Sequence, residues 1–369
     1  MGENKVKKIF FVASEAQPFF ASGGLGDVIG SLPKRILKNA KGEFEVSVIL
    51  PLYAKLNQAY KNKLIYIGQT TTKLSWRNQY CGIFKYEENG VKYYFIDNEY
   101  YFKRDNFYGY FDDAERFAFF SKAAIDVMIF IDEIPDIIHV HDWQAGMLPI
   151  YLRTLYYHDT RFAKVKTVFT IHNIEYQGIY AYDQDIIEDV FGLSFNDGYL
   201  LEYLGKVNIM KGAMEAANFV TTVSPTYAEE ILQKEFAHGL EHETVRVKGE
   251  GKLKGILNGI DKVFYNPAKD KALFENYDKK TAEDVVKLEN KIDQYEDQLG
   301  TYLVKLSSKQ LSLNDSQTVS IMLHVIGDFE RIADYAINIS KKAEDMHSKG
   351  LKFSYVASKE LQVYGDALK

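Results

Sequence analysis

The sequence predicts an α/β lobe built on a mostly parallel sheet, followed by an α-helical bundle. Three observations predict it. Short β-rich runs alternate with helical stretches up to about Asp278, the pattern of strands joined by helical crossovers. A glycine-rich turn stands shortly after the first apolar run. From about Lys279 the apolar residues step by three and four, and no proline follows Pro267.

The first run, Ile9-Phe-Phe-Val-Ala13, reads as a buried strand. After it, Ala21-Ser-Gly-Gly-Leu-Gly-Asp27 opens a helix predicted over 28–38. Three glycines within four residues cost backbone entropy and need a reason. One reason is a turn too tight for a Cβ. The other is a ligand meeting bare N–H groups at the positive end of a helix. Ser22, Gly23 and Gly24 are therefore candidate binding residues. Further strands are predicted over 45–50, 91–96, 137–141, 165–171, 219–223 and 254–258, with helices over 114–131, 144–157 and 205–217.

In open α/β sheets ligands bind beyond the carboxyl ends of the strands. Those ends carry His141-Asp-Trp-Gln144, His172-Asn-Ile-Glu-Tyr-Gln-Gly178, Ser224-Pro225 and Asn258-Gly-Ile-Asp261. Such a rim, without metal-ligand spacing, suits a polyhydroxylated ligand. A nicotinamide cofactor is disfavoured. The second strand runs out through Ile49-Leu-Pro-Leu52 and offers neither an acid for a ribose nor an arginine for a 2′-phosphate.

Composition narrows the classes further. A net charge of −6 gives no support for a nucleic-acid or anionic-membrane partner. The lone Cys81 excludes a disulfide framework within the chain and fits a reducing, cytoplasmic setting. The five-residue apolar run near the N-terminus is too short for a signal peptide core or a membrane span.

Together these residues resemble a family. Ser22-Gly-Gly-Leu-Gly-Asp-Val28, Asp113-Ala-Glu-Arg-Phe-Ala118, His139-Val-His-Asp-Trp-Gln-Ala-Gly146, Thr170-Ile-His-Asn-Ile-Glu-Tyr-Gln-Gly178, Val223-Ser-Pro-Thr-Tyr227 and Leu257-Asn-Gly-Ile-Asp261 occur in this order. Residues 1–278 thereby look like the N-terminal Rossmann-like lobe of bacterial glycogen or starch synthase, one half of a GT-B fold. The resemblance implies retaining transfer of glucose from ADP-glucose to an α-1,4-glucan, without a cofactor or metal in this lobe. It implies that the glycine loop meets the donor and that Asp112 and His141 line the sugar pocket. It places Asn258 at the cleft, and Asn173 shares the binding rim. Two departures are expected to matter. Ala21 stands where the family often has a lysine facing a donor phosphate, and no second α/β lobe is readable after residue 278.

The remainder has its own pattern. Leu288, Ile292, Tyr295, Leu299, Tyr302 and Leu306 predict one helical seam; Val319, Met322, Ile326, Phe329, Ala333 and Ala336 predict another. Ser312-Leu-Asn-Asp-Ser316 is expected to turn the chain, and a third helix is expected from near Ser354, giving a three-helix bundle over 279–369. Leu288-Glu-Asn-Lys-Ile-Asp293 and the run His324 to Ile339 resemble a PhoU-type bundle. That resemblance implies phosphate-linked regulation and a divalent or ferric metal. Glu289 with Asp293, and Glu330 with Asp334, share helix faces and are the candidate ligands. Two functions stay open from the residues: a glucosyltransferase, or a non-catalytic protein that binds glucan or responds to phosphate or metal. Self-association through an uncovered cleft face is expected in either case.

Overall fold

The computed structural model describes residues 6–40, 42–259, 278–307, 309 and 313–350. The chain divides into two compact units, Met1–Asp261 and Lys262–Lys369.

The first unit is built on a nine-stranded sheet. Its strands are β1 (Lys7–Val12), β2 (Phe44–Pro51), β3 (Ile65–Leu74), β4 (Arg77–Glu88), β5 (Val91–Asp97), β6 (Ile137–His141) and β7 (Lys166–Ile171). After β8 (Ile179–Ala181), β9 (Glu202–Tyr203) and β10 (Lys206–Asn208), which form a separate three-stranded sheet, come β11 (Phe219–Thr222) and β12 (Leu253–Gly255). The large sheet runs β12-β11-β7-β6-β1-β2-β5-β4-β3. All pairings from β12 to β5 are parallel; only the β3–β4–β5 meander is antiparallel.

Parallel strands need covering on both faces, so their sequences are continuously apolar. Phe10, Phe11 and Val12 of β1, Val48 to Leu50 of β2 and Phe95 and Ile96 of β5 are all buried. The helices expected over 28–38, 114–131 and 205–217 are present at Gly24–Asn39, Asp113–Phe130 and Ile209–Ala216, the first starting four residues earlier and the last four later because Lys206–Asn208 is a strand. The helix expected over 144–157 is instead two short ones, Asp142–Ala145 and Met147–Arg153. The alternation read from apolar runs passes over β3 and β4. These strands mix threonine, tyrosine and charge at the sheet edge, and their turn holds Ser75 at φ 56 without a glycine to mark it.

The second unit is described over two long helices, Lys279–Ser307 and Leu313–Ser348, which pack on each other. The second helix starts at Leu313, so Asn314 to Ser316 belong to it and not to a turn. The region of the expected third helix lies outside the described residues. The expected seams are covered only in part: Val319 and Ala333 belong to the second one, whereas Leu303 and Ile337 lie outside both. Leu303, Val319, Ala333 and Ile337 are buried, whereas Leu288, Tyr295, Leu299, Tyr302, Met322 and Phe329 are exposed. A helix with one neighbour covers one narrow stripe, and small residues at Ala333 and Gly327 allow closer approach than the aromatic face.

Candidate functional site

Parallel pairing brings the carboxyl ends of β1, β6, β7, β11 and β12 to one edge of the sheet. Val12 pairs with Val140, His141 with Thr170, Ile171 with Thr222 and Thr222 with Gly255. The segments that leave this edge carry Ser14 and Glu15, then His141, His172 and Asn173, then Ser224 and finally Asn258.

The glycine loop separates into two halves. A Cβ on Gly26 would meet the Ala21 Cβ at 2.3 Å, and one on Gly30 would meet the Gln17 carbonyl at 2.7 Å. These two glycines are explained by packing of residues 17–21 onto the helix. Gly23 and Gly24 would meet nothing within 4 Å, both are exposed, and Gly23 has an extended backbone open to any residue. Among the described residues nothing calls for glycine at either position, which leaves bare backbone there without a packing reason. Ser22 is tied down from below: its N–H and its hydroxyl both donate to Glu15, the latter at 2.6 Å.

Histidines crowd the centre of the edge. His141 is fully buried and its Nδ1 lies 3.0 Å from His172 Nε2. His139 stacks against His141 with ring centroids 4.2 Å apart, and its Nε2 meets Thr170 Oγ1 at 2.6 Å. Burial holds all three neutral, taking His139 down to about 3, His172 down to about 4 and His141 well below its usual value. His141 Nε2 is buried without a hydrogen-bond partner. Asp142 follows at φ 55, a left-handed conformation uncommon outside glycine. Burial raises its carboxyl to about 7, although it accepts the His172 N–H at 2.7 Å.

Asp112 sits at the start of helix Asp113–Phe130 and is held by Arg104, whose two terminal nitrogens each meet a carboxylate oxygen at 2.6 Å. Burial pushes the Asp112 carboxyl up, but the Arg104 hydrogen bonds and charge outweigh it and leave the group below the usual carboxylate range. Its neighbour Asp113 pairs with the fully buried Arg116 and accepts the Gly109 N–H at 2.8 Å. Arg116 therefore braces loop 107–113, and its charge also helps lower the Asp112 carboxyl. The remaining candidates lie on the surface of the edge. Asn173 is exposed and its side chain accepts the Glu175 N–H at 2.9 Å; Asn258 is exposed and its backbone N–H meets the Val223 carbonyl at 3.2 Å. Reasoning from motifs passes over Glu15, Arg104 and Tyr108. Glu15 bonds to Ser22 and Arg104 to Asp112, Tyr108 bonds to Glu15, and none of the three carries a motif of its own.

In the second unit, burial raises the Glu330 carboxyl, and Asp334, Asp293 and Glu296 raise it further. Glu289 lies half-buried on the same helix as Asp293. Among the described residues no three metal-ligating side chains stand together as a coordination group, and no described helix is long and apolar enough to cross a membrane.

Residues 8–245 match the starch synthase catalytic domain. The chain belongs to the starch and glycogen synthase family. It is 48% identical over 273 residues to the glycogen synthase of Alkaliphilus metalliredigens, covering 73% of this chain and 56% of that protein. With the glycogen synthase of Exiguobacterium sibiricum it shares 42% identity over 351 residues, 91% of this chain and 70% of that one. The catalytic domain of starch synthase IV from Arabidopsis thaliana, solved with ADP and acarbose bound, superposes with a TM-score of 0.64 at 31% identity, over 80% of this chain and 59% of that one. The chain thus spans between about half and seven tenths of the relatives' length. Residues 271–343 match the PhoU domain.

The glycines give a direct test. Gly26→Ala is expected to cost about 1–3 kcal/mol through overpacking against Ala21. Gly23→Ala is expected to stay within about 0.5 kcal/mol of the parent. Urea titration of both variants decides; equal losses would show that Gly23 is packed after all.

The histidines set an acid limit. Their native pKa values lie below the unfolded value of 6.5, so the unfolded chain takes up protons the native site refuses. Their stabilisation is complete above that value and is lost progressively as pH falls from it toward the native values of about 4 and about 3. Asp142 has the opposite sign: its native value is raised, so its contribution falls as pH rises from about 4 to about 7. Three histidines outweigh one aspartate, and stability should rise with pH between about 4 and 6.5. Urea midpoints at pH 5 and pH 7 measure this. His172→Gln should narrow the gap, and an unchanged gap would remove the cluster as its source.

Proposed function

We propose that the first unit is the lobe of an ADP-glucose-dependent glycogen synthase that receives the glucan and the glucosyl group of the donor. One observation carries the reading: exposed Gly23 and Gly24, unexplained by packing, lie on the loop after β1, and that strand pairs directly with the one ending in His141, whose Nε2 lacks a partner. The names of the relatives and the ADP and acarbose bound to the Arabidopsis domain support it. In this reading the Ser22–Gly24 backbone faces the transferred glucose. Asp112, already ionised beside Arg104, and His141 hydrogen-bond sugar hydroxyls, and Asn173 and Asn258 border the cleft.

Breaking the bond to a nucleoside diphosphate requires fixed positive charge or dipoles aimed at the leaving phosphate. Ala21 supplies none, and the described residues beyond 278 form two helices. We therefore expect this chain alone to transfer little or no glucose from labelled ADP-glucose to glycogen; robust incorporation would overturn that. It should still bind maltoheptaose, with binding lost in Asp112→Ala or His141→Ala. Calorimetry that finds both variants binding like the parent would remove the pocket.

The second reading, a glucan-binding protein that responds to phosphate or metal, draws on the PhoU match and on the carboxylates that crowd Glu330. The side chains as placed do not make a coordination shell, and no step of the proposed chemistry runs through a metal. The proposed ligands remain Glu289, Asp293, Glu330 and Asp334. Metal analysis of the purified chain should find iron, manganese, magnesium or zinc above the level in the Glu330→Gln, Asp334→Asn double variant; equal contents would eliminate the site.

A further inference from the structure

Glu15 is a buried acidic side chain held by hydrogen bonds and not by an ion pair among the described residues. It is 2% exposed, and among the described residues no lysine, arginine or histidine lies within ion-pair distance of it. A carboxyl group in such a place needs its oxygens met by hydrogen-bond partners. Three donors meet them. The Ser22 N–H takes one oxygen, while the Ser22 hydroxyl, at 2.6 Å, and the Tyr108 hydroxyl share the other. Tyr108 spends its proton on Glu15, so the Ser14 hydroxyl 2.8 Å away donates to Tyr108 in turn.

Two of the three bonds end on Ser22, the residue just before the open pair Gly23–Gly24. The third ends on the loop that carries Asp112. No side chain caps the helix that starts at Gly24. Glu15 is thus the common anchor of both loops that border the candidate sugar site. We propose that Glu15 is a positioning residue: it fixes Ser22 and so aims the Gly23–Gly24 backbone at the glucosyl donor. This rests on the functional reading above.

Glu15→Gln in the full chain keeps the shape but sets an amide NH2 against one of the donors. Loss of hydrogen bonding to this buried carboxyl group should raise amide exchange across residues 21–25 about tenfold. Peptides from β1, β2 and β6 should keep their rates. ADP-glucose, measured by calorimetry, should bind about tenfold more weakly. Adding Ser22→Ala to Glu15→Gln should change exchange little further, because both act through the same bonds. Unchanged exchange in the loop would overturn the proposal, and so would an increase spread evenly through β1 and β2, the mark of a purely structural role. Should the parent chain fail to bind ADP-glucose, the functional reading falls. The exchange comparison, which needs no ligand, still judges the anchoring.

Discussion

The parallel ladder at the centre of the sheet is the constraint on which the rest depends. β1 pairs with β2 on one side and β6 on the other, Val12 opposite Ile49 and Val140. Every parallel strand must return by a crossover, so all their carboxyl ends face one way. The glycine loop, the histidines and the rim residues are neighbours because of this and not because of their sequence spacing. The register is equally constraining. A slip of one residue would turn Phe11 away from His139 and His141, against which it packs at 5.0 and 5.7 Å, and would expose the alternate set.

Polar groups that are costly to bury gather at that edge. Glu15 has donors but no cation, Asp142 sits in a left-handed backbone with its carboxyl raised by burial, and His141 has one nitrogen without a partner. A sequence selected for stability alone would replace such groups with apolar ones, often at a gain. Their concentration at the strand ends, while the strands themselves are apolar, is how a site departs from the local rules that build the fold. Arg116 shows the other side of the same rule. It is fully buried in the same region, but its bonds to Asp113 and to the Tyr101 and Phe107 carbonyls brace a loop.

The parallel core was legible because a strand buried on both faces must be apolar throughout. Ile9–Ala13, 45–50, 91–96 and 165–171 announce themselves in that way. β3 and β4 did not, since an edge hairpin needs neither a continuous apolar run nor, with Ser75 at positive φ, a glycine. Motif residues such as His141 and Gly24 could be named from the chain. Their anchors could not. Glu15 reaches Tyr108 across 93 positions, and His141 meets His172 across 31, distances that only the sheet order closes. The division of the glycines also needed coordinates, because spacing does not tell a glycine that avoids Ala21 from one that faces open space.

The helical pair obeys a different logic. An amphipathic helix normally turns its apolar stripe inward and its charges out. Here Glu289, Glu296 and Glu330 lie half-buried while Leu288, Tyr295, Leu299, Tyr302 and Phe329 stand exposed. Isolated helices draw most of their stability from packing an apolar face, and these two give each other little of theirs. The crowding that raises Glu330 is a further cost of the same arrangement. Residues 271–343 match the PhoU domain. The first unit buries its apolar residues in a core of its own. Its own core runs unbroken from Ile9 to Leu253, so the two units stand on separate physical footings.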